Sequence, residues 1–219
     1  MTTMKKHLLL TSALFICAFT TQAQKKSCNM NFINLESGIN LSQFNFSNSE
    51  ITAFKNGDYS PSQHQAVSVG FNLKENFDLV LGLAYDKHRV MGKPIDMSSY
   101  HLSYDLNYTS ASAGLEYSFP LQDKVSLLVS GGVAYNYLLS GFQNIGAATY
   151  DLSETDFEKS NLSATVGAGL LCQITDATGI FLKYDWSNTV DLKESKSTNE
   201  TYKLTSYVYS VGVRFNLAN

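Results

Sequence analysis

The chain has 219 residues and a formal net charge of −3 at pH 7, with 16% charged and 44% hydrophobic residues. This length suits a single domain, and the lack of any basic patch or cluster excludes a nucleic-acid-binding protein of the usual kind. Three cysteines are too few for a disulfide framework.

The N-terminal segment, residues 1–23, has the features of a secretory signal peptide. Two lysines precede the apolar stretch Leu8–Phe19, and Thr21-Gln22-Ala23 supplies small residues for cleavage. The stretch is shorter than the ~20 apolar residues that a membrane-spanning helix needs. A lipoprotein signal is the alternative because cysteines lie nearby, but Cys28 follows two lysines rather than an apolar run.

Cleavage after Ala23 would leave 14 basic and 19 acidic residues, a net charge of −5. We then expect residues 24–30 to be a short periplasmic tail and residues 31–219 to be one barrel domain. Cys28 falls in this tail and Cys172 in a predicted strand, and the sequence indicates no role for either.

Apolar and polar residues alternate with period two from Asn31 to the end, which predicts β-strands. The pattern predicts eight strands, an even number. The predicted fold class is an all-β, antiparallel, up-and-down barrel. In chain order the predicted strands cover residues 31–42, 65–73, 76–88, 109–119, 125–138, 163–174, 180–187 and 205–217.

The fourth strand carries an irregularity. Large residues between Tyr100 and Tyr108 also alternate, but with the parity opposite to that of the residues that follow. This predicts a bulge near Asn107–Thr109, or growth of the strand beyond the membrane.

The predicted connections alternate in length. Three turns of about five residues or fewer follow the second, fourth and sixth strands, at Leu73–Asn76, Pro120–Lys124 and Thr175–Gly179. Transmembrane barrels have short periplasmic turns and long external loops, and this asymmetry is typical of them. The long connections are residues 47–63, 87–99, 140–159 and 188–201.

Period two does not say which face is outside, since a lipocalin-like soluble barrel has apolar residues inside. Here the polar face is rich in Gly, Ser, Asn and Ala, which suits a crowded lumen better than a soluble surface. Aromatic residues on the apolar face collect at the strand ends, as at two membrane interfaces. Near the short turns are Phe71, Phe77, Tyr117, Phe119 and Phe215, and near the long loops are Tyr85, Tyr135, Tyr137, Trp186, Tyr207 and Tyr209.

The last strand resembles the C-terminal assembly signal of outer-membrane proteins, with Ser210, Gly212, Phe215 and Leu217 at its defined positions. The chain continues for two residues beyond Leu217, a small departure from that pattern. With the segments GLEYSFPL and KVSLLVSGGVAYNYLL, the layout resembles the small outer-membrane β-barrel domain family (OmpX, the transmembrane part of OmpA, and porin-family or PorT-like proteins). The resemblance implies outer-membrane lipid and the barrel-assembly machinery as partners, location in a Gram-negative outer membrane, and no cofactor.

Charged residues on the polar face are the first candidates for function. They predict either a salt-bridged plug that fills the lumen or a gate on a narrow ion path, because buried charges need partners. An eight-stranded barrel has no wide aqueous channel. The candidates are Glu36, Asp78, Glu116, Lys183, Asp185 and Arg214, all expected in the periplasmic half of the lumen.

Histidines are weaker candidates. His64, His88 and His101 lie near the external strand ends, and imidazoles with nearby carboxylates can bind metal. Their spacing matches no compact motif, so no metal is assigned and His64 and His88 stay weak candidates. No GxSxG-like segment is present, so a catalytic site is not predicted, and an enzyme built on rim residues is the least favoured hypothesis.

The sequence therefore predicts a monomeric structural or porin-like outer-membrane barrel with a narrow or plugged lumen. The alternative is an accessory barrel for secretion or adhesion that binds a protein partner through loops 47–63 and 140–159, since loops on a rigid scaffold often carry function.

Overall fold

The computed structural model describes residues 30–47, 58–92, 102–154, 157–190 and 201–217. The predicted signal peptide, most of the predicted tail with Cys28, and His101 lie outside these ranges. Among the residues described, no helix is long and apolar enough to cross a bilayer. The strands are β1 Met30–Ser47, β2 Asp58–Lys74, β3 Phe77–Gly92, β4 Leu102–Gln122, β5 Val125–Ile145, β6 Ala148–Asp151, β7 Ser160–Thr175, β8 Thr178–Val190 and β9 Thr201–Asn216.

Eight of these strands close into an antiparallel barrel, which confirms the predicted fold class. Each barrel strand pairs with its chain neighbours, and β1 pairs with β9 to complete the ring. The paired residues can be followed from strand to strand once around the barrel, starting at Ile33 of β1. The path returns to β1 at Gln43, so the stagger of the barrel is ten residues. This stagger tilts the strands and sets a narrow interior. The ninth strand, β6, pairs with the end of β5 alone.

The strands are longer than the sequence predicted. β4 and β5 have 21 residues each, and a tilted strand advances about 2.5 Å per residue along the barrel axis. Each therefore spans about 50 Å, twice the ~25 Å apolar band of an outer-membrane barrel. The predicted boundaries of the long connections were wrong: residues 58–63, 87–92, 140–145 and 188–190 are strand.

The apolar face points outward, as predicted. Leu83, Val133 and Leu182 are 60%, 58% and 61% exposed, whereas Asn40 and Ser42 on the opposite face are 1% and 0% exposed. A water-soluble barrel would have the reverse arrangement. Lipid tails can cover the exposed apolar residues, and the inward polar residues find partners across the lumen.

The irregularity at residues 100–108 has the second of the two predicted causes, growth of the strand beyond the membrane, because β4 is continuous from Leu102 to Gln122. Inward-facing positions in β4 keep one parity from Tyr104 to Glu116, so β4 has no bulge between these residues. The register does shift beside Asn107, but the extra residue is Leu139 in β5. Tyr104, Leu106 and Tyr108 are therefore inside the barrel, with exposures of 7%, 1% and 2%.

Aromatic side chains form two zones on the outer face. Near the short turns, the rings of Tyr117 and Phe119 are 4.3 Å apart. Near the long connections, Tyr184 lies 5.0 Å from Tyr209 and is stacked on Tyr207 at 6.4 Å. Aliphatic residues separate the two zones, which matches a bilayer with two interfaces.

The middle of this band gives a direct test of orientation. We expect Leu182→Arg, near the midplane on β8, to lower the free energy of unfolding by about 2–4 kcal/mol because the guanidinium would face hydrocarbon. Gln63→Arg, at an exposed position of β2 beyond the band, should change it by less than ~0.5 kcal/mol. Urea unfolding in lipid vesicles measures both, and equal effects would contradict the outward apolar face.

Candidate functional site

The lumen has two unlike walls. In the middle of β4, β5 and β7, inward positions are small, including Ser112, Gly114, Ser130, Gly132 and Gly167. The opposite wall, from β1, β2, β3, β8 and β9, carries charged and amide side chains. Because the small residues leave space facing the charges, a cavity of about 190 Å³ remains inside the barrel.

An ion pair crosses the lumen near the short turns. Arg214 Nη2 donates to Glu116 Oε1 at 2.7 Å, and both side chains are 4% exposed. Arg214 is on β9 and Glu116 on β4, which are four strands apart in either direction around the barrel. The pair therefore spans the full diameter of the barrel.

Two further contacts fix the Arg214 guanidinium. Its Nε donates to Asn34 Oδ1 at 2.9 Å, and its Cζ lies 3.7 Å from the centre of the Phe32 ring. The stacked ring and the hydrogen bonds satisfy a cation that would be costly to bury alone. Asp78, close by, accepts a hydrogen bond from Asn31 at 3.1 Å.

Large apolar side chains fill the rest of this end. Phe181 packs with Leu128 and Leu171 in a buried cluster. The Phe32 ring lies against Gly70, and the Phe181 ring against Gly212, at positions where a Cβ would clash with the ring. Glycine at these two positions lets an aromatic ring cross the narrow lumen.

A second charged level lies further from the short turns. His64 lies between two carboxylates, with Nδ1 2.7 Å from Asp86 and Nε2 3.3 Å from Glu36. Lys183 Nζ is 3.1 Å from Asp185 Oδ1. Among the six predicted charges, Arg214 contacts Glu116, Lys183 contacts Asp185, and Glu36 contacts His64.

His64 and Asp86 belong to this level and were not predicted to. The parity of β2 carried the signal, because His64 has the same parity as the inward-facing Ser68 and Gly70. Because β2 extends outward to Asp58, His64 lies six residues inside the external end of its strand. Within the described ranges, no group of three or more His, Cys, Asp or Glu side chains is placed to hold a metal ion.

His88 occupies a third level, above His64. Its Nδ1 is 2.7 Å from Ser42 Oγ and 3.2 Å from Asn40 Nδ2, and its ring meets Tyr108 edge-on at 5.5 Å. A serine beside a histidine could suggest a nucleophile. Ser42 is 0% exposed, however, and no substrate can reach it in this conformation.

The mouth on the side of the long connections is closed by a group of mostly apolar residues, named the mouth cluster. The sequence missed it because these residues alternate like lipid-facing ones. Gln143 Nε2 donates to the Tyr104 hydroxyl at 2.6 Å and ties β5 to β4 there. The mouth cluster consists of Val90, Tyr104, Leu106, Tyr108, Leu138, Leu152 and Leu204, with Phe157 packed against it.

The residues of the predicted C-terminal assembly signal lie on both faces of β9. Ser210 and Gly212 face the lumen, and Ser210 Oγ donates to Glu36 Oε2 at 3.4 Å. Phe215 and Leu217 are exposed on the outer face. Their role in assembly stays a prediction. Cys172 is a free, exposed cysteine on β7.

Comparison with known proteins bears on this architecture. A family model described as outer membrane protein beta-barrel domain matches residues 11–215. The structure of the outer membrane protein OprG from Pseudomonas aeruginosa is similar, with a TM-score of 0.56, 10% identity, and coverage of 87% of this chain and 97% of that chain. Neisserial surface protein A gives 0.53 with 14% identity, covering 85% and 96%.

A major outer membrane protein from Thermus thermophilus gives a TM-score of 0.50 with 11% identity, covering 86% of this chain and all (100%) of that chain. At such identities the likeness shows the fold alone. No curated protein shows significant sequence similarity to the chain.

The Arg214–Glu116 pair can be tested by stability. We expect Arg214→Ala to lower the free energy of unfolding by about 3–5 kcal/mol, because Glu116 would be left buried without its partner. The double substitution Arg214→Met with Glu116→Leu should recover most of this loss. Fluorescence of Trp186, the single tryptophan, reports unfolding in urea and lipid vesicles.

The matched control is an exposed ion pair. Arg89 Nε lies 2.6 Å from Asp105, with side chains 51% and 35% exposed. Arg89→Ala should cost less than ~1 kcal/mol. If Arg214→Ala costs no more than Arg89→Ala, the cross-lumen pair does not stabilise the barrel.

Proposed function

The chain belongs to the outer membrane protein β-barrel domain family, and we propose that it is a closed structural barrel, porin-like in architecture but without a conducting pore. The observation that carries this proposal is the Arg214–Glu116 ion pair across the full diameter of the lumen. A solute would have to pass through the space that this pair and the rings of Phe32 and Phe181 occupy.

The energetics favour the closed state. Leaving one member of a buried ion pair without its partner costs about 3–5 kcal/mol, so states in which Arg214 and Glu116 are separated inside the lumen are minor. The mouth cluster adds a second, apolar barrier on the other side of the cavity. Brief openings are compatible with these values, whereas a steady current is not.

We also propose that the protein is not an enzyme. The Ser42–His88 contact is enclosed in the lumen, where it serves packing and hydrogen bonding. The family also indicates where the protein is located, because its members are outer-membrane proteins and their strands span that membrane. The short turns and both ends of the barrel chain would then face the periplasm. Cleavage of residues 1–23, assembly by the barrel-assembly machinery and a monomeric state are parts of the proposal.

Single-channel recording in planar bilayers tests the closed lumen. We expect no conductance steps from the purified barrel, while an open general porin measured in parallel conducts. The double variant Arg214→Ser with Glu116→Ser should show brief openings about tenfold more often, since two small side chains no longer block the cross-section. Steady conductance of the unmodified barrel would refute the proposal.

Every sample needs proof of folding before it is recorded. A folded barrel migrates differently in electrophoresis before and after boiling, and each variant should show that shift. A silent sample without the shift would be misfolded protein and would have to be refolded and measured again.

A second function, an accessory barrel for secretion or adhesion, is supported by the sheet of β3 to β6 that rises beyond the apolar band. If it acts there, replacing residues 143–150 by a short Gly-Ser turn should abolish adhesion or cargo secretion while the heat shift of the barrel is retained. Substitutions in the short turn Asp123-Lys124 should have no effect.

A further inference from the structure

The cavity inside the barrel, named the chamber, lies between two groups of large side chains. Tyr108 and Leu204 of the mouth cluster border it on the side of the long connections, and Phe181, Leu128 and Arg214 border it on the side of the short turns. Its volume of about 190 Å³ corresponds to about six water molecules at ~30 Å³ each. Serine, asparagine and charged side chains on its wall can hydrogen-bond to water.

The chamber wall carries more negative than positive charge. Glu36, Asp86 and Asp185 face it on the second charged level, with Lys183 and His64 as the cations there. Near the short turns, Arg214 and Glu116 cancel one another. Even with a protonated imidazole, the carboxylates outnumber the cations. A surplus of carboxylates in a confined space favours a positively charged solute over a negative one.

One residue of the mouth cluster, Leu152, comes from a segment outside the eight barrel strands. After β6, a short 3-10 turn, Leu152–Glu154, carries the Leu152 side chain back into the mouth cluster. Leu152 is 4% exposed, and it meets Leu106 and Leu138 beside Gly141, whose missing side chain makes room for it. The neighbours Thr149, Tyr150 and Ser153 are exposed.

The shape of this turn is set locally. The Ser153 backbone N–H donates to Asp151 Oδ1 at 2.8 Å. Hydrogen bonds from the side chain and the backbone of Ser153 hold the pKa of the Asp151 carboxyl below its ordinary value. The carboxylate is therefore ionised at neutral pH and keeps the turn formed. The turn is thus a preformed unit, attached by a hairpin on one side and anchored to the barrel by Leu152.

We propose that this turn is an access lid: when Leu152 leaves the mouth cluster, the chamber admits small hydrophilic solutes from the long-connection side, cations in preference. The inference rests on the closed lumen proposed above and adds a route into it. The pair at Arg214 stays closed, so entry fills the chamber without letting solute through the membrane.

Cysteine accessibility tests the lid. Ser112→Cys places a thiol on the chamber wall, where Ser112 faces free space, in a background with Cys28→Ser and Cys172→Ser. Cells are treated with a membrane-impermeant cationic methanethiosulfonate (the ethyltrimethylammonium compound). We expect Ser112→Cys to react about tenfold more slowly than Gln63→Cys on the exposed outer surface of β2, because reaction needs a local opening.

Variants of Leu152 show whether this residue controls the labelling rate at Ser112→Cys. Adding Leu152→Ala should raise the rate at Ser112→Cys about tenfold without changing the rate at Gln63→Cys. Leu152→Met, which keeps the apolar anchor, should leave both rates within about twofold. The anionic ethylsulfonate reagent should label Ser112→Cys more slowly than the cationic one, after correction by the ratio measured at Gln63→Cys.

Several results would overturn the inference. The turn would not be a lid if Ser112→Cys reacted at the same rate with Leu152, with Leu152→Ala and with Leu152→Met, while every variant kept its heat shift in electrophoresis. A corrected rate that is equal or higher for the anionic reagent would remove the preference for cations. These outcomes differ from failure of the closed lumen, which appears as steady current through the unmodified barrel and does not depend on residue 152.

Discussion

The ion pair between Arg214 and Glu116 is the constraint on which the interior depends. Eight strands with a stagger of ten residues leave a lumen that one arginine and one glutamate can span. The pair joins strands that never touch through their backbones, and Asn34 and Phe32 hold the guanidinium from a third strand. A shift in register would separate these groups and leave charges buried without partners, so the pair selects one register.

From that level outward, the lumen changes from charged to polar to apolar. The Arg214 level is packed with aromatic rings, the His64 level borders the chamber, and the mouth cluster contains hardly any polar atoms. The need to hydrate polar side chains explains this order of charged, polar and apolar levels along the lumen. A chamber lined by serine, asparagine and carboxylates needs water or solute, and it can be retained in a stable barrel because both ends are sealed by side chains with satisfied contacts.

Alternation in the sequence was enough to predict the barrel, the outward apolar face and the short turns, because each strand has one environment per face over most of its length. For Tyr104, Leu106 and Tyr108 it left two explanations open, a bulge or growth of the strand beyond the membrane, and the structure decides for the second. The polarity of the side chain at each position matches the medium around it, and a single strand can pass from lipid into water. Pairing across the lumen, as between Arg214 and Glu116, was also beyond the sequence, since period two gives the face but not the partner.

The parity reversal in β4 therefore has a physical meaning that a backbone irregularity would lack. Below this point, as at Leu115, the outer face meets hydrocarbon and carries the apolar residues; above it, at Asp105 and Asn107, the outer face meets water and is polar. The apolar residues then move to the inner face, where Leu106 and Tyr108 join the mouth cluster. Tyr108 thus marks the level at which the strand leaves the membrane, and the inversion that closes the mouth is the same one that allows β4 to continue into water.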